Sequence, residues 1–448
     1  MVSFRLMRPH ENASRNALAS QTGVSRRCRL GALGAALLVC APLALSVPAA
    51  AAGPSPAPLT VEEQRLTGPV PQEILRRSGF DGLTAGFTRG LGRTRSCAEA
   101  EKLVTAEGRN LWRRAVDRAQ GRGPDGGDLS RDDDRPLYWA RLALTRALRE
   151  WRPAFALDER RRADLVAAVE RTSRGQDSIE LPPGDGVKRV VITGFDPFQL
   201  DSDVRRSNPS GAAALALDGT TVETPAGPAR IEAAVFPVRW ADFADGTVER
   251  TLLPHLRPGP GRVDLFTTIS QGRVGRFDVE RTNGAWRGGY PDNLNVSRTG
   301  TVPVPSGIPT VTPQPQWTTT TLPYAAITAA RTGPFPVYDN TAVTEIPAGG
   351  TEEEHRADGP TPGSTARAGG GGDYLSNEIA YRATLLRDAV RARVPGGHLH
   401  TPVLQFGQGN TDPAHGQVTD PAFVNNRLAI TAQIRSVLAV AVGSAGRS

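Results

Sequence analysis

The chain has 448 residues, 39% hydrophobic and 22% charged, with 48 Gly and 37 Pro. That suits a globular protein of one large domain or two with long loops. The formal net charge is +7, but no basic stripe with interleaved aromatic residues accompanies it, so nucleic-acid binding has no support.

Residues 1–52 read as a secretory signal peptide. Arg26, Arg27 and Arg29 precede an apolar run from Leu30 to Val47, which closes in the small residues Ala49 to Ala52. The run lacks room for a membrane span with a stop-transfer flank. The alternative is an uncleaved anchor. "SRRCRL" at Ser25–Leu30 also resembles a twin-arginine signal, and Val39 before Cys40 is too bulky for a lipobox. The stretch holds six Arg and one Glu, so its removal leaves a net charge of +2. Secretion, by the general or the twin-arginine route, is therefore expected. Cys28 and Cys40 leave with the signal, and the remaining Cys97 reads as structural rather than nucleophilic.

Residues 53–68 are a Pro-rich linker, and Pro71 to Gly175 is helical in period. Leu137, Ala140, Leu144 and Trp151 fall at helical spacing, and Trp112, Trp139 and Trp151 read as core. Asp125–Asp134 divides this region, so residues 53–180 are predicted as a helical N-terminal segment in two parts. "LPPGDG" at Leu181–Gly186 marks a boundary. Beyond it "KRVVITGF", "ARIEAAVFPV" and "VDLFTTIS" read as strands, and "WADFADGTVERTLLPHL" as a helix. Strands alternating with helices predict an α/β fold with parallel pairing and reactive groups at the carboxyl ends of strands. Thr301–Gln316 and Ala342–Gly372 read as surface loops, the second as a disordered insertion or a lid.

"GGGGDYLSNEIAYR" places Ser376 at or just before a helix start, because Ile379, Ala383, Leu386 and Val390 share one helical face. The pattern favours an N-cap role. The same position would suit a nucleophile, since a helix N-terminus stabilises developing negative charge. A serine needs a base, and beyond the signal there are only His255, His355, His398, His400 and His415. His398 and His400 are two apart, on one side of a strand, a weak metal-binding signal without further ligands. Asp278 and Glu280 follow the strand "VDLFTTIS" and could orient a histidine.

A resemblance links these stretches. "VVITGFDPF" with "NPSGAAAL", "SQGRVGRFDVER", "YPDN", "TTTTLPYAAI", "GGDYLSN" and "LHTP" follow one another as do the motifs of pyroglutamyl-peptidase I, the pyrrolidone-carboxylate peptidases. The resemblance runs from Lys188 to the C-terminus and implies a three-layer α/β/α sandwich with a mostly parallel sheet over residues 187–440, with 342–372 as a loop insertion. It implies removal of an N-terminal pyroglutamyl residue from a peptide with a blocked N-terminus, without cofactor or metal. Glu280 and His400 stand at the family's Glu and His, and Ser376 stands at its nucleophilic Cys. Phe195 and Phe198 stand where aromatic residues hold the lactam ring, and Asn208 and Gln271 lie on the substrate-binding segments. Gln199–Leu200 replaces the family's Gly-Gly, the stretch between Glu280 and "PDN" is one residue shorter, and Gly289 replaces an Arg, leaving Arg287 as the candidate oxyanion stabiliser. The competing expectations are a catalytically silent binding or structural protein on the same fold, and a metal-dependent hydrolase built on His398 and His400.

Overall fold

The structure, a computed structural model, describes residues 58–123, 126–184 and 186–445. The predicted signal peptide lies outside them. Among the described residues no helix is long and apolar enough to cross a membrane.

Six helices come first: α1 (Val61–Arg65), α2 (Pro69–Ser78), α3 (Leu83–Leu91), α4 (Cys97–Ala119), α5 (Arg135–Glu150) and α6 (Glu159–Thr172). Thr60 and Glu63 form a capping box on α1, and Ser96 and Asp158 cap α4 and α6 by accepting a backbone N–H three residues on. Trp112 and Trp139 are buried, and Trp151 is half-buried against the same core.

The sheet is built from β1 (Lys188–Phe195), β2 (Thr220–Thr224), β3 (Gly227–Phe236), β4 (Leu265–Gln271), β5 (Phe277–Glu280), β6 (Val337–Asn340) and β7 (Gly396–Thr401). Their spatial order is β6-β5-β7-β4-β1-β3-β2. The pairs β1–β3, β1–β4, β4–β7 and β5–β6 are parallel, while β5–β7 and β2–β3 are antiparallel. Alternation along β1 sends Val190 and Ile192 into one core and Val191 and Phe195 into the other, as a sheet covered on both faces requires. One face carries α7 (Pro209–Leu217) and, further along, α12 (Pro421–Ser444) with α10 (Tyr324–Ala329) against it; the other carries α9 (Thr247–Leu256) and α11 (Leu375–Ala389). The fold is therefore a three-layer α/β/α sandwich with a mostly parallel sheet. The N-terminal helices share the core of the α7–α12 face, and the described residues form one compact unit.

Two local expectations are corrected. The single helix predicted over "WADFADGTVERTLLPHL" is two, α8 (Trp240–Ala244) and α9, because Gly246 between them takes a left-handed φ of 81°. Residues 342–372 are not a disordered loop. Strands Val343–Ile346, Glu354–Arg356 and Thr365–Ala368 pair as a small antiparallel sheet. Its anchor is the buried Glu345 carboxylate, which accepts from the backbone N–H and the hydroxyl of Thr361 at 2.7 and 2.6 Å.

Candidate active site

The carboxyl ends of the parallel strands β1, β4 and β7 converge with the start of α11, and the antiparallel β5 lies alongside β7. β5 and β7 pair antiparallel with His398 opposite Glu280. In this register the His400 side chain reaches the Glu280 carboxylate, and Nδ1 lies 2.7 Å from Oε1. Both side chains are nearly inaccessible, at 8% and 1% exposed. The other carboxylate oxygen accepts from Asn340 Nδ2 at 2.7 Å, and the same amide nitrogen donates to the Gly370 carbonyl at 3.1 Å. Asn340 ends β6, and its role was not visible in the sequence.

The glycine run folds over this pair. A Cβ on Gly370 would lie 2.2 Å from Glu280 Oε2, and one on Gly369 would lie 2.1 Å from Asn377 Oδ1. The run is thus a close approach of backbone to the Glu280 and Asn377 side chains and not a flexible hinge. Asn377 fixes its end by bonding both the N–H and the C=O of Gly284. Gly371 lies between the His400 ring and the backbone of Asn377.

Ser376 is the second residue of α11 and does not cap it. The cap is Tyr374, whose side chain makes no capping bond. The Ser376 hydroxyl donates to the Gly371 carbonyl at 3.0 Å, and among the described residues it makes no hydrogen bond to His400. The N-cap expectation fails because the helix begins at Leu375, two residues before the start that a Ser376 cap would require. It follows that no side chain blocks the first N–H groups of α11, which have no intrahelical acceptor and can serve an oxyanion.

A pocket opens beside Ser376. Phe195, Phe198, Asn208, Gln271 and Ser376 all line it, together with Tyr374 and Ser270 among others. Phe195 stacks on Phe243 at 6.0 Å, and Phe198 leans on Tyr374 at 6.1 Å. Tyr374 meets Trp240 and Tyr290 edge-on at 5.2 and 5.3 Å. Asn208 caps α7, accepting from Ser210 N–H, and donates to the Asp196 carbonyl at 3.0 Å. A larger cavity of about 640 Å³ lies elsewhere, between α6 and α9, and holds none of these residues.

Two neighbours are committed to other tasks. Arg287 donates bidentately to Glu378 at 2.6 and 2.5 Å and is 6% exposed. Its charge is committed to that pair, which speaks against the oxyanion role expected of it. His398 lies edge-on to His400 at 4.7 Å, with Nδ1 2.8 Å from Thr268 Oγ1 and Nε2 2.8 Å from Ser270 Oγ. Burial, reinforced by His400, pushes its pKa well down, so it stays neutral with both ring nitrogens in use. Among the described residues no group of three His, Cys, Asp or Glu could hold a metal ion. Of the remaining histidines, His355 lies in the small antiparallel sheet and His415 pairs with Asp412 on the surface. Cys97 opens α4 against the helical core.

Comparison with known proteins adds a family. Residues 46–170 match the PA0049 N-terminal domain, and residues 189–314 and 335–405 match the PA0049 C-terminal domain. Uncharacterized protein PA0049 of Pseudomonas aeruginosa is 36% identical, over 87% of this chain and 90% of that protein. The chain belongs to the PA0049 family. Among solved structures, a mutant pyrrolidone carboxyl peptidase from P. furiosus is 21% identical over 56% of this chain and 98% of its own, with a TM-score of 0.36. Pyroglutamyl peptidase I of Bacillus amyloliquefaciens is 19% identical over 57% and 97%, also with a TM-score of 0.36. Both matched PA0049 domains contribute to the site's surroundings. α5 supplies Arg141, and Arg174 follows α6; both bind Asp196, on the loop between β1 and α7.

Proposed function

We propose that this PA0049-family chain is an exported serine-type hydrolase that removes an N-terminal pyroglutamyl residue from peptides. The observation that carries the reading is the buried His400–Glu280 pair beside a serine at an uncapped helix start. The aromatic-walled pocket there is bounded by Phe195, Phe198, Asn208 and Gln271. The motif resemblance to pyroglutamyl-peptidase I supports the same assignment. An uncharged lactam suits a pocket that offers aromatic faces and amides but no free ion.

The chemistry follows from the groups present. The Ser376 hydroxyl turns from the Gly371 carbonyl toward His400, which accepts its proton as Oγ bonds to the carbonyl carbon. Glu280 stabilises the imidazolium. The α11 N–H groups receive the oxyanion. The imidazolium then protonates the departing amine as the C–N bond breaks, and water hydrolyses the acyl-enzyme by the same route. A thiol would ionise more readily beside a histidine; an alcohol needs His400 throughout. A serine also escapes the oxidation that a reactive thiolate meets outside the cell.

The test is hydrolysis of a chromogenic pyroglutamyl amide by the chain beginning at residue 53. Activity lost by about 10³-fold or more in Ser376→Ala and in His400→Ala is expected, and Ser376→Cys should retain it. Folded wild type inert toward the amide and toward a serine-directed phosphonate would instead favour the silent binding protein.

A further inference from the structure

The loop between β1 and α7 places two adjacent arginines under opposite conditions. Arg205 is fully buried and fully used. It donates bidentately to Asp203 at 2.9 and 2.8 Å, bonds the carbonyls of Asn410 and Gln417, and lies over the Phe406 ring. Arg206 is half-buried, and among the described residues its side chain has no ion pair and no hydrogen bond. Its Nε is shut off from solvent without a partner.

Arg206 lines a cavity of about 180 Å³ whose walls include Gln271, Val403, Leu404, Phe406 and Phe423. Asp203 also borders it, but Arg205 already neutralises that carboxylate. The cavity therefore carries one uncompensated positive charge in a mixed lining, with Ser207, Gln405 and Thr411 beside the apolar residues. Gln271 borders both this cavity and the pocket beside Ser376. Val403 follows His400 by three residues at the carboxyl end of β7. The cavity thus adjoins the bond-breaking groups without overlapping the aromatic pocket.

We propose that this cavity receives the leaving-group side of the substrate and that Arg206 binds a carboxylate there. The preferred substrates are then short pyroglutamyl peptides with a carboxylate close to the scissile bond. A guanidinium left half-desolvated without an acceptor is unfavourable. A carboxylate offers the planar, two-point acceptor that its fork fits. Val403, Leu404, Phe406 and Phe423 can pack on the body of a single residue, while Ser207, Gln405 and Thr411 add polar contacts. The carboxylate can be the free C-terminus of a dipeptide or an acidic side chain after the scissile bond. The inference rests on the proposed peptidase reading and deepens it.

The experiment compares kcat/KM for pyroglutamyl-alanine, pyroglutamyl-alanine amide, and the end-blocked pyroglutamyl-glutamate amide and pyroglutamyl-lysine amide. In wild type the free acid should exceed its amide about tenfold, one partly screened ion pair. A matching excess of the glutamate over the lysine amide would show that a side-chain carboxylate also serves. Preference for the free acid alone would assign the site to the C-terminus. In Arg206→Gln each ratio should fall to about one, and Arg206→Glu should favour the lysine amide. Thermal unfolding of each variant guards against misfolding. Hydrolysis of all four peptides without preference, or a preference that survives Arg206→Gln, overturns the carboxylate site and leaves the peptidase reading intact. No hydrolysis of any pyroglutamyl compound by folded wild type overturns both.

Discussion

Replacing Asp196 by alanine tests whether the N-terminal helices hold the candidate pocket in place. Arg141 Nη2 lies 2.5 Å from one Asp196 oxygen, and Arg174 Nη2 lies 2.8 Å from the other. The three side chains are 0–2% exposed. Arg174 keeps Glu170 when Asp196 is lost. Arg141 keeps nothing nearer than Glu170 at 4.0 Å, and its Nε and Nη1 already lack hydrogen-bond partners. Asp196→Ala therefore strands a buried guanidinium, which costs about 3–5 kcal/mol. Arg141→Met removes the stranded charge and leaves Asp196 with Arg174, so it should cost less than about 2 kcal/mol. The double variant should recover most of the Asp196→Ala loss, a non-additivity expected of groups in contact. Urea unfolding midpoints at constant m-value measure all three. An Asp196→Ala loss under about 1 kcal/mol, or a double variant as unstable as the single, would refute the reasoning. Pyroglutamyl amide hydrolysis gives a second readout, because Asn208, at the pocket, hangs from the Asp196 carbonyl.

Asn340→Ala removes a hydrogen bond to a charged group, worth about 1.5–3 kcal/mol. It should lower kcat about 10- to 100-fold with KM little changed; an unaltered kcat would show that Glu280 needs no second support. Stability should also depend on pH in a defined way. Burial pushes the Asp134 and Asp218 carboxyls up to about 7, helped by Asp133 and Glu232 respectively. Their contribution is complete below the unfolded value near 4 and is lost as pH rises through about 7. Burial pushes His398 and His255 down. Their contribution is present above the unfolded value near 6.5 and fades as pH falls below it. The thermal midpoint should rise from about pH 8.5 to 6.5 and then level off toward pH 5. A midpoint that falls over the first interval would contradict this assignment of protons.

The apolar run in "KRVVITGF", strands alternating with helices and the turn at "LPPGDG" were enough to expect a parallel α/β sheet after a helical segment, because burial on both faces leaves a continuous apolar run. The candidate site was legible only through the ordered motifs. Nothing in the local sequence ties Glu280 to His400, 120 residues away; the antiparallel β5–β7 pairing does that. Asn340 was invisible for the same reason, since its partner is reached only through β5–β6 pairing. Ser376 as a cap was a sound local inference undone by a helix that starts two residues earlier, with Tyr374 at the cap. The segment 342–372 looked disordered because its charges and glycines are read one by one. Paired as strands around Glu345, they order one another.

The N-terminal helices bear on function through charge and not only through packing. The loop from Asp196 to Asn208 forms one wall of the pocket beside Ser376 and carries Arg206. Its polar groups point back into the helical segment. Asp196 is held by Arg141 and Arg174, and Asp134 accepts from Ser207 and from the Asn208 N–H. Arg135 reaches the Arg205 carbonyl at 2.6 Å and the Val418 carbonyl at 2.7 Å. Without those helices two buried arginine partners and an aspartate acceptor disappear from the loop at once, and Asp196 is left uncompensated beside the core. The α/β part therefore cannot hold this pocket wall by itself. The matched stretches, 46–170 and 189–314 with 335–405, are thus tied by one buried network of charged groups.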